Sequence, residues 1–293
     1  MVWGSELWVL SGYPERMSVV ADGPCKGLTI NELVAKEKDR LLGQRNYEHF
    51  GDEFPLLVKF LDVHAPLSIQ VHPSEEFAQA RQGLHGKEEM WYVIRAEKDA
   101  ELMAGFAQEI IPDEYERRVH DGTITDVIAK HKIQAGDVFY IPTGRVHALL
   151  PGSYIAEIQQ TSDSTYRIWD YNRPGLDGKL RPLHTELAKE ALDYKVYTEY
   201  KTEYEPCKNA DVPLISCNYF TTSVLDIDAP FTRDLRGLDS FVIVMCLEGS
   251  GALRCGAETA RISADECILV PASAEEIEFL PAAGGLKMLL SHN

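Results

Sequence analysis

Four side chains of the types that bind metal ions fall on or beside apolar runs in the first half of the 293-residue chain. Two of them, Gln70 and His72, lie in LSIQVHPSEE, Glu89 opens EMWYVIRA, and His147 follows GDVFYIPTGRV. Residues two apart in a strand project from one face, so Gln70 and His72 point the same way, with Ser68 beside them. An amide oxygen, two imidazole nitrogens and a carboxylate suit Zn²⁺, and Mn²⁺, Fe²⁺ or Co²⁺ also accept them. The sequence therefore predicts one metal site.

The elements that would position these residues are mostly strands. Short runs rich in β-branched and aromatic residues, such as PLLVKFLDV, YIAEIQQT and FVIVMCLEG, alternate with Gly, Pro and Asp. Four helices are predicted between them, over LTINELVAKEKDRLL, PSEEFAQARQG, IPDEYERRVHDGTITDVIAKH and PLHTELAKEALDY. In the second helix, Ser74 is the expected N-cap, with Glu75 and Glu76 in the first turn. The pattern predicts a mainly β chain with helical insertions.

A weak internal repeat relates the two halves of the chain. EMWYVIRAEKDAELMAG aligns without a gap with SFVIVMCLEGSGALRCG, and AGDVFYIPTGRVHAL aligns with ADECILVPASAEEIE. In this alignment Glu89 corresponds to Ser240 and His147 to Glu276. The second copy is therefore predicted to lack the metal ligands.

The composition narrows the classes of partner. The formal net charge of −17 argues against nucleic acid and anionic membranes, because both attract basic surfaces. The longest apolar runs are far shorter than the ~20 residues of a membrane-spanning helix, and MVWGSELWVL does not resemble a signal peptide. Six scattered cysteines without a CxxC pair are typical of free, mostly buried thiols in a reducing compartment. We predict a soluble, cytoplasmic protein.

The run GDVFYIPTGRVH has the spacing of a known metal-binding signature. It resembles the second signature of the cupin superfamily, whose members are small double-stranded β-helix barrels with a metal in the barrel mouth. The first signature is modified, because Gln70-x-His72 stands in place of His-x-His. The resemblance implies two cupin-type β-barrels with a few helical insertions. We expect a metal-binding catalytic domain over residues 1–200 and a metal-free cupin-like β domain over residues 201–293.

Four motifs in order, PLSIQVHP, GKEEMWYV, IPTGRVHAL and QQTSDSTYRIWDYNR, resemble the bacterial type I mannose-6-phosphate isomerases. This resemblance runs from about Glu6 through Tyr194. Family members usually begin with a strand that carries a Trp-Gly-Gly motif, which is not found here. What the resemblance implies is one Zn²⁺ per chain and two active-site cations. The implied zinc ligands are Gln70, His72, Glu89 and His147, and the implied cations are Lys87 and Arg167.

The implied reaction converts an aldose phosphate to a ketose phosphate through a cis-enediolate. It needs an acid or base, a cation near the developing oxyanion and an anchor for the phosphate. Lys87 and Arg167 are the candidate catalytic residues. Arg173 shares a strand face with Arg167, and Ser68 lies on the ligand face, so both are candidates for substrate binding. Lys87, Glu157 or a metal-bound hydroxide could serve as the base, and lysines and arginines elsewhere are expected to be solvated surface charges.

Three functions are compatible with these features. The first is the zinc-dependent interconversion of mannose 6-phosphate and fructose 6-phosphate, with a sugar phosphate as the small-molecule partner. The second is another metal-dependent cupin enzyme, either a different sugar-phosphate isomerase or an oxygenase that needs a redox metal. The third is a non-catalytic sugar-binding cupin. The complete ligand set together with Lys87 and Arg167 favours the first, because a binding protein would have little need of them.

Overall fold

The computed structural model describes residues 1–293 and contains eighteen strands and six short α-helices. The helices are Ile30–Glu37 (α1), Asp39–Leu42 (α2), Gln44–Phe50 (α3), Glu75–Gln82 (α4), Pro112–Asp121 (α5) and Thr185–Ala191 (α6). Single 3-10 turns lie at Pro14–Arg16 and Ile124–Val127. No helix has the length and apolar character needed to cross a membrane. The prediction of a mainly β chain with a few helices is confirmed.

Eleven strands form two sheets. The six-stranded sheet has the order Gly4–Leu10 (β1), Leu56–Val63 (β2), Ser153–Gln160 (β9), Glu89–Ala96 (β4), Val138–Ile141 (β7) and Lys201–Thr202 (β11). The five-stranded sheet has the order Tyr166–Trp169 (β10), Ile69–Val71 (β3), His147–Leu149 (β8), Glu101–Phe106 (β5) and Ile128–Lys132 (β6). Each predicted metal ligand therefore lies in or directly after one of these strands.

The remaining seven strands form a third sheet. Its main path is Asp211–Ser216 (β12), Thr221–Ile227 (β13), Glu276–His292 (β18), Val242–Cys255 (β15) and Glu258–Ser263 (β16). Phe231–Asp234 (β14) pairs with β18, and Cys267–Val270 (β17) pairs with β15. None of the three sheets closes on itself, so the two closed barrels stay a prediction.

The chain folds into two compact units. The first comprises residues 1–7 and 59–202, and the second comprises residues 8–58 and 203–293. This division differs from the predicted domain boundary at residue 200, because residues 8–58 belong to the second unit. Within that unit the carboxylate of Asp239 accepts the backbone N–H groups of Gln44, at 2.7 Å, and Arg45, at 3.1 Å. These are among the N–H groups at the start of α3 that have no partner inside the helix.

The third predicted helix is wrong beyond residue 121. The helix α5 ends at Asp121 because Gly122 adopts a left-handed conformation, with φ of 70°, and donates its N–H back to Arg118. The following segment forms a 3-10 turn and then strand β6, which pairs with β5. Its Ile124 and Val127 are fully buried in the core of the first unit. Tertiary burial of these β-branched residues favours the strand over a longer helix.

Strand β3 shows the alternation that the sequence predicts. Ile69 and Val71 are fully buried in an apolar cluster that also contains Tyr115 of α5. Gln70, in the middle of the strand, pairs with His147 on the neighbouring strand β8. The apolar side chains of β3 thus fix the strand against the core, while the polar ones remain available for a site.

All six cysteines are free thiols, as predicted. Only Cys246 is fully buried, whereas Cys207 is exposed and the other four are partly buried. Five of the six are thus buried or partly buried, as predicted, and Cys207 is the exception.

Candidate metal centre

The six-stranded and the five-stranded sheets both contribute to one cluster of predicted ligands. His147 Nε2 lies 3.2 Å from Gln70 Nε2 and 3.4 Å from Glu89 Oε1. His72 Nε2 lies 3.3 Å from Glu89 Oε2. The ligand atoms of His72, Glu89 and His147 all lie within 4.8 Å of one another. The amide oxygen of Gln70 faces Ser68 instead, whose hydroxyl donates to it at 3.4 Å.

The carboxylate of Glu89 is the least satisfied polar group in this cluster. Its side chain is only 1% exposed, and neither oxygen has a partner in hydrogen-bonding geometry, although Lys87 Nζ lies 3.0 Å from Oε2. Buried charged groups in proteins are normally paired, hydrogen-bonded or bound to a metal. A divalent cation would satisfy this carboxylate and the two imidazoles beside it, so the residues present fit a metal ion.

Two backbone carbonyls orient the imidazoles of the cluster. His72 Nδ1 donates to the carbonyl of Ser164 at 2.9 Å, and His147 Nδ1 donates to the carbonyl of Arg145 at 2.8 Å. A proton on Nδ1 leaves the lone pair of Nε2 free for a metal. Burial lowers the pKa of both histidines, and the charge of Lys87 helps to bring the pKa of His72 to about 4. Both rings are therefore neutral at pH 7, which is the form that binds metal ions.

Lys87 lies beside this cluster. Its Nζ is 3.2 Å from His72 Nε2, and the residue is 4% exposed. Burial alone lowers the pKa of Lys87, but the negative charges of Glu89 and Glu157 raise it by more. Burial alone would likewise raise the pKa of Glu89, yet the positive charge of Lys87 holds it well below its usual range. The chain therefore carries an ammonium and a carboxylate side by side in a buried site.

The two predicted arginines lie on β10 and in the loop that follows it. Arg167 pairs in register with Gln70, and its buried Nε has no hydrogen-bond partner. Its Nη1 donates to the carbonyl of Pro182 at 2.9 Å. Arg173 donates instead from Nη2 to Asp170 at 2.9 Å. The structure thus brings Arg167 beside the ligand strand, and it places Arg173 on an acidic partner rather than on a metal ligand.

A buried ionic network behind the site is not predicted from the sequence. Lys59 Nζ lies 2.9 Å from Glu157 Oε1 and 2.6 Å from Gln159 Oε1, and the lysine is 5% exposed. Trp91 Nε1 donates to Glu157 Oε2 at 3.0 Å, and the ring of Trp91 packs edge-on against His147. The expectation of a solvated charge is wrong for Lys59. The sequence feature that could have predicted the burial of Lys59 is its position inside the apolar run PLLVKFLDV. A strand buried on both faces gives such a residue no route to solvent.

Comparisons with known proteins agree with these features. A family model described as the catalytic domain of type I phosphomannose isomerase matches residues 4–110, and a model for the cupin domain of mannose-6-phosphate isomerase matches residues 212–293. Mannose-6-phosphate isomerase ManA of Bacillus subtilis is 32% identical, covering 98% of this chain and 89% of the relative. The enzyme of the same name from Streptococcus mutans is 30% identical, covering 98% and 88%. The crystal structure of the mannose 6-phosphate isomerase from Bacillus subtilis superposes with a TM-score of 0.88 at 31% identity, covering 99% of this chain and 90% of that one.

Proposed function

Because the chain belongs to the type I mannose-6-phosphate isomerase family, we propose that its first unit interconverts mannose 6-phosphate and fructose 6-phosphate at the candidate metal centre. The observation that carries this assignment is the buried carboxylate of Glu89, which lies between two neutral imidazoles and 3.0 Å from the ammonium of Lys87. A silent binding module would gain nothing from burying these charged groups, because the burial of charge is costly.

We assign one Zn²⁺ per chain to Gln70, His72, Glu89 and His147. Two imidazoles, a carboxylate and an amide oxygen match the ligand preferences of zinc. Gln70 would bind through its oxygen, so its amide must be turned over from the orientation in which Nε2 faces His147. When bound, zinc supplies a Lewis acid that stabilises negative charge on the substrate oxygens.

The side chains of the chain itself provide the remaining charge stabilisation. In the isomerisation a proton moves from C2 to C1 through the cis-enediolate, and a hydroxyl proton moves from O2 to O1, so no atom or electron is gained or lost. We assign Lys87 and Arg167 to the oxygens that become negative in the transition state. Lys87 Nζ is already within hydrogen-bonding distance of two ligands, and Arg167 keeps a buried Nε–H without a partner.

The phosphate needs a separate anchor. We assign this role to Arg173 and Ser68, because a cation with an unpartnered Nε–H and a buried hydroxyl both donate hydrogen bonds to an anion. The contact of Arg173 with Asp170 limits how far its guanidinium can move. Binding energy from the phosphate would orient the reacting carbons.

The six-stranded and five-stranded sheets would form opposite walls of a cupin-type barrel. In support, Gln70 and His147 come from the five-stranded sheet and Glu89 from the six-stranded sheet, yet His147 and Glu89 approach to 3.4 Å. Such an approach requires that the two sheets face each other at this point. A second barrel, the cytoplasmic location and the lack of nucleic-acid or membrane partners stay predictions.

A coupled assay tests the proposed function. We expect turnover of mannose 6-phosphate and its loss after treatment with a chelator, restored by Zn²⁺. Glucose 6-phosphate and unphosphorylated mannose are expected to be poor substrates, because one has the wrong configuration at C2 and the other lacks the phosphate. Equal turnover of mannose and its phosphate would contradict the substrate assignment. Oxygen uptake without isomerisation would instead indicate an oxygenase.

A further inference from the structure

Lys87 lies on a loop, and hydrogen bonds hold this loop in place. Residues 83–88 connect α4 to β4, and Lys87 is only 4% exposed. Four consecutive residues of this loop form hydrogen bonds with residues outside it. The bonds are Ser162 Oγ to His85 O at 2.9 Å, Gly86 N to Glu75 Oε2 at 2.7 Å, Lys87 N to Pro73 O at 3.3 Å, and Glu88 N to Gln160 Oε1 at 2.9 Å.

One carboxylate, that of Glu75 at the start of α4, connects several of these bonds. Its Oε1 accepts from His85 Nδ1 at 2.9 Å, and its Oε2 accepts from the backbone N–H of Gly86 and, at 3.4 Å, from Gln160 Nε2. The oxygen of the same Gln160 amide accepts the N–H of Glu88. Glu75 therefore holds the residues on both sides of the active-site lysine, directly on one side and through Gln160 on the other.

The close approach of the loop to α4 also depends on a glycine. A Cβ atom at Gly86 would lie 2.4 Å from Glu75 N and 2.8 Å from Glu75 Cα. Backbone atoms cannot give way as the end of a side chain can, so any other residue would push the loop away from the helix. The carboxylate is well suited to hold it: burial alone would raise the pKa of Glu75, but the bonds from His85 and Gly86 lower it by more, so the group is ionised.

We propose that Glu75 is a positioning residue for Lys87, holding the loop 83–88 so that the lysine reaches the metal centre. The side chain of Glu75 does not contact the substrate in this assignment and acts only through the loop. The inference rests on the proposed function in one respect, the catalytic role of Lys87.

Glu76 provides a matched control. It is the next residue in the same first turn of α4, carries the same charge and is exposed. Its substitution changes the charge at the helix N-terminus as much as a substitution of Glu75 does, because both carboxylates lie in the turn where the helix dipole acts. It leaves the bonds to His85, Gly86 and Gln160 in place.

The experiment compares Glu75→Ala and Glu75→Gln with Glu76→Ala in the zinc-loaded full chain. We expect Glu75→Ala to lower kcat by about tenfold to a hundredfold with KM nearly unchanged, because a displacement of about 1 Å has that effect on a catalytic group. Glu75→Gln should have a smaller effect in the same direction, and Glu76→Ala should retain the kcat of the unmodified chain. Metal content should be unchanged in all three. Equal kcat values for Glu75→Ala and Glu76→Ala would overturn the proposal.

A second set of variants separates positioning from a general effect on folding. Gly86→Ala keeps the carboxylate but moves the loop, so it should reproduce the loss of kcat. In a Lys87→Ala background, Glu75→Ala should cause no further loss, because residues that act as a unit are not additive. A further loss of the same size would overturn the proposal. If Lys87→Ala alone retained full kcat, the proposed catalytic role of Lys87 would be wrong, and this outcome is distinct from a failure of Glu75.

Discussion

Both units contain the same β-turn, at residues 134–137 in the first unit and at residues 263–266 in the second. Different side chains surround the turn in the two units. Before β7, the N–H of Gln134 donates to Asp137 Oδ2 at 3.0 Å. Before β17, the N–H of Ser263 donates to Glu266 Oε2 at 2.8 Å. The aligned positions of the sequence repeat thus make the same hydrogen bond in both units. The repeat predicted from weak similarity is therefore a repeat of local structure.

The strand after this turn, β7 or β17, pairs with β4 in the first unit and with β15 in the second. The register of this pairing is shifted by two residues relative to the ungapped sequence alignment. Glu89 pairs with Ile141 at the end of β7, whereas Val242 pairs with Val270 at the end of β17. The structural counterpart of Glu89 is therefore Val242 rather than Ser240, which corrects the sequence alignment. Val242 is fully buried in the apolar core of the second unit. Where the first unit buries a carboxylate, the second buries a hydrocarbon.

The other ligand positions are also changed in the second unit. His147 pairs with Gln70, and the counterpart of His147, Glu276, pairs with Asp234. Glu276 is exposed, whereas His147 is fully buried. Asp234 bonds to Arg236, two residues further on, in an ion pair at the surface. The comparison indicates that the β scaffold does not assemble the candidate metal centre by itself, because this cluster depends on side chains that the scaffold must bury.

The largest effect should come from removing a ligand imidazole. His72→Ala is expected to release the metal and to lower kcat by about 10³ or more, because both the Lewis acid and the geometry of the site are lost. The matched control is Arg236→Ala. Arg236 lies two residues after Asp234, just as His72 lies two residues after Gln70, and its substitution should change neither the metal content nor kcat. Elemental analysis and the coupled assay measure the two effects. Stoichiometric metal in the His72→Ala variant would contradict the ligand assignment.

Introducing the missing carboxylate into the second unit should be costly. Val242→Glu is expected to lower the free energy of unfolding by about 3–5 kcal/mol, the scale for an uncompensated buried charge. Val242→Ala should cost about 2 kcal/mol, because it removes two buried methyl groups without adding charge. Denaturant unfolding of both variants gives the difference. If Val242→Glu proved as stable as Val242→Ala, the interior of the second unit would tolerate a ligand, and the contrast between the units would be wrong.

Arg167→Ala should have a smaller effect, confined to catalysis. Loss of one donor to a developing oxyanion lowers kcat by about 10² or more. A role in the transition state alone lowers kcat and kcat/KM together, whereas loss of ground-state binding raises KM. Arg261→Ala, an exposed arginine on β16 of the second unit, is the control and should have normal kinetics. An unchanged kcat for Arg167→Ala would transfer the role to Lys87 or Arg173.

The smallest effect should appear at the shared turn. Gly136 and Asp265, at aligned positions, have φ values of 92° and 69°. Because the second unit accepts an aspartate in this region of φ, Gly136→Asn should cost less than about 1 kcal/mol, whereas Gly136→Val should cost about 1–2 kcal/mol. Denaturant unfolding of each variant, compared with the unmodified chain, gives the two costs in free energy of unfolding. Equal costs for the two substitutions would indicate that the two turns are not equivalent.

Several features were determined by the sequence alone because they depend on local periodicity. The alternation in LSIQVHP is enough to put Ile69 and Val71 into the core and to leave Gln70 for the site. The helix start at Ser74 follows from its hydroxyl, which accepts the N–H of Phe77. Each of these outcomes is fixed by residues within one turn or a few strand positions, so they are predictable from a single stretch of chain.

Other features depend on residues that are distant in the sequence. The burial of Lys59 requires Glu157 and Gln159, and the two-residue shift between the repeats requires the pairing of β15 with β17. The end of α5 was mispredicted because the segment after Asp121 gains more by joining β5 than by extending the helix. The support of the lysine loop by Glu75 could not be predicted either, because a carboxylate in the first turn of a helix is expected to face solvent.

The sequence thus supplied the ligand types, and the tertiary structure supplied their environment. The motifs in PLSIQVHP, GKEEMWYV and IPTGRVHAL identify which side chains can bind a metal, because ligand chemistry belongs to residue type. Only the packing of the two sheets brings His147 to 3.4 Å from Glu89 and leaves that carboxylate 1% exposed. Desolvation is the sum of contributions from many segments of chain, so the depressed pKa of His72 and the burial of the Glu89 carboxylate beside Lys87 arise only when those segments fold together.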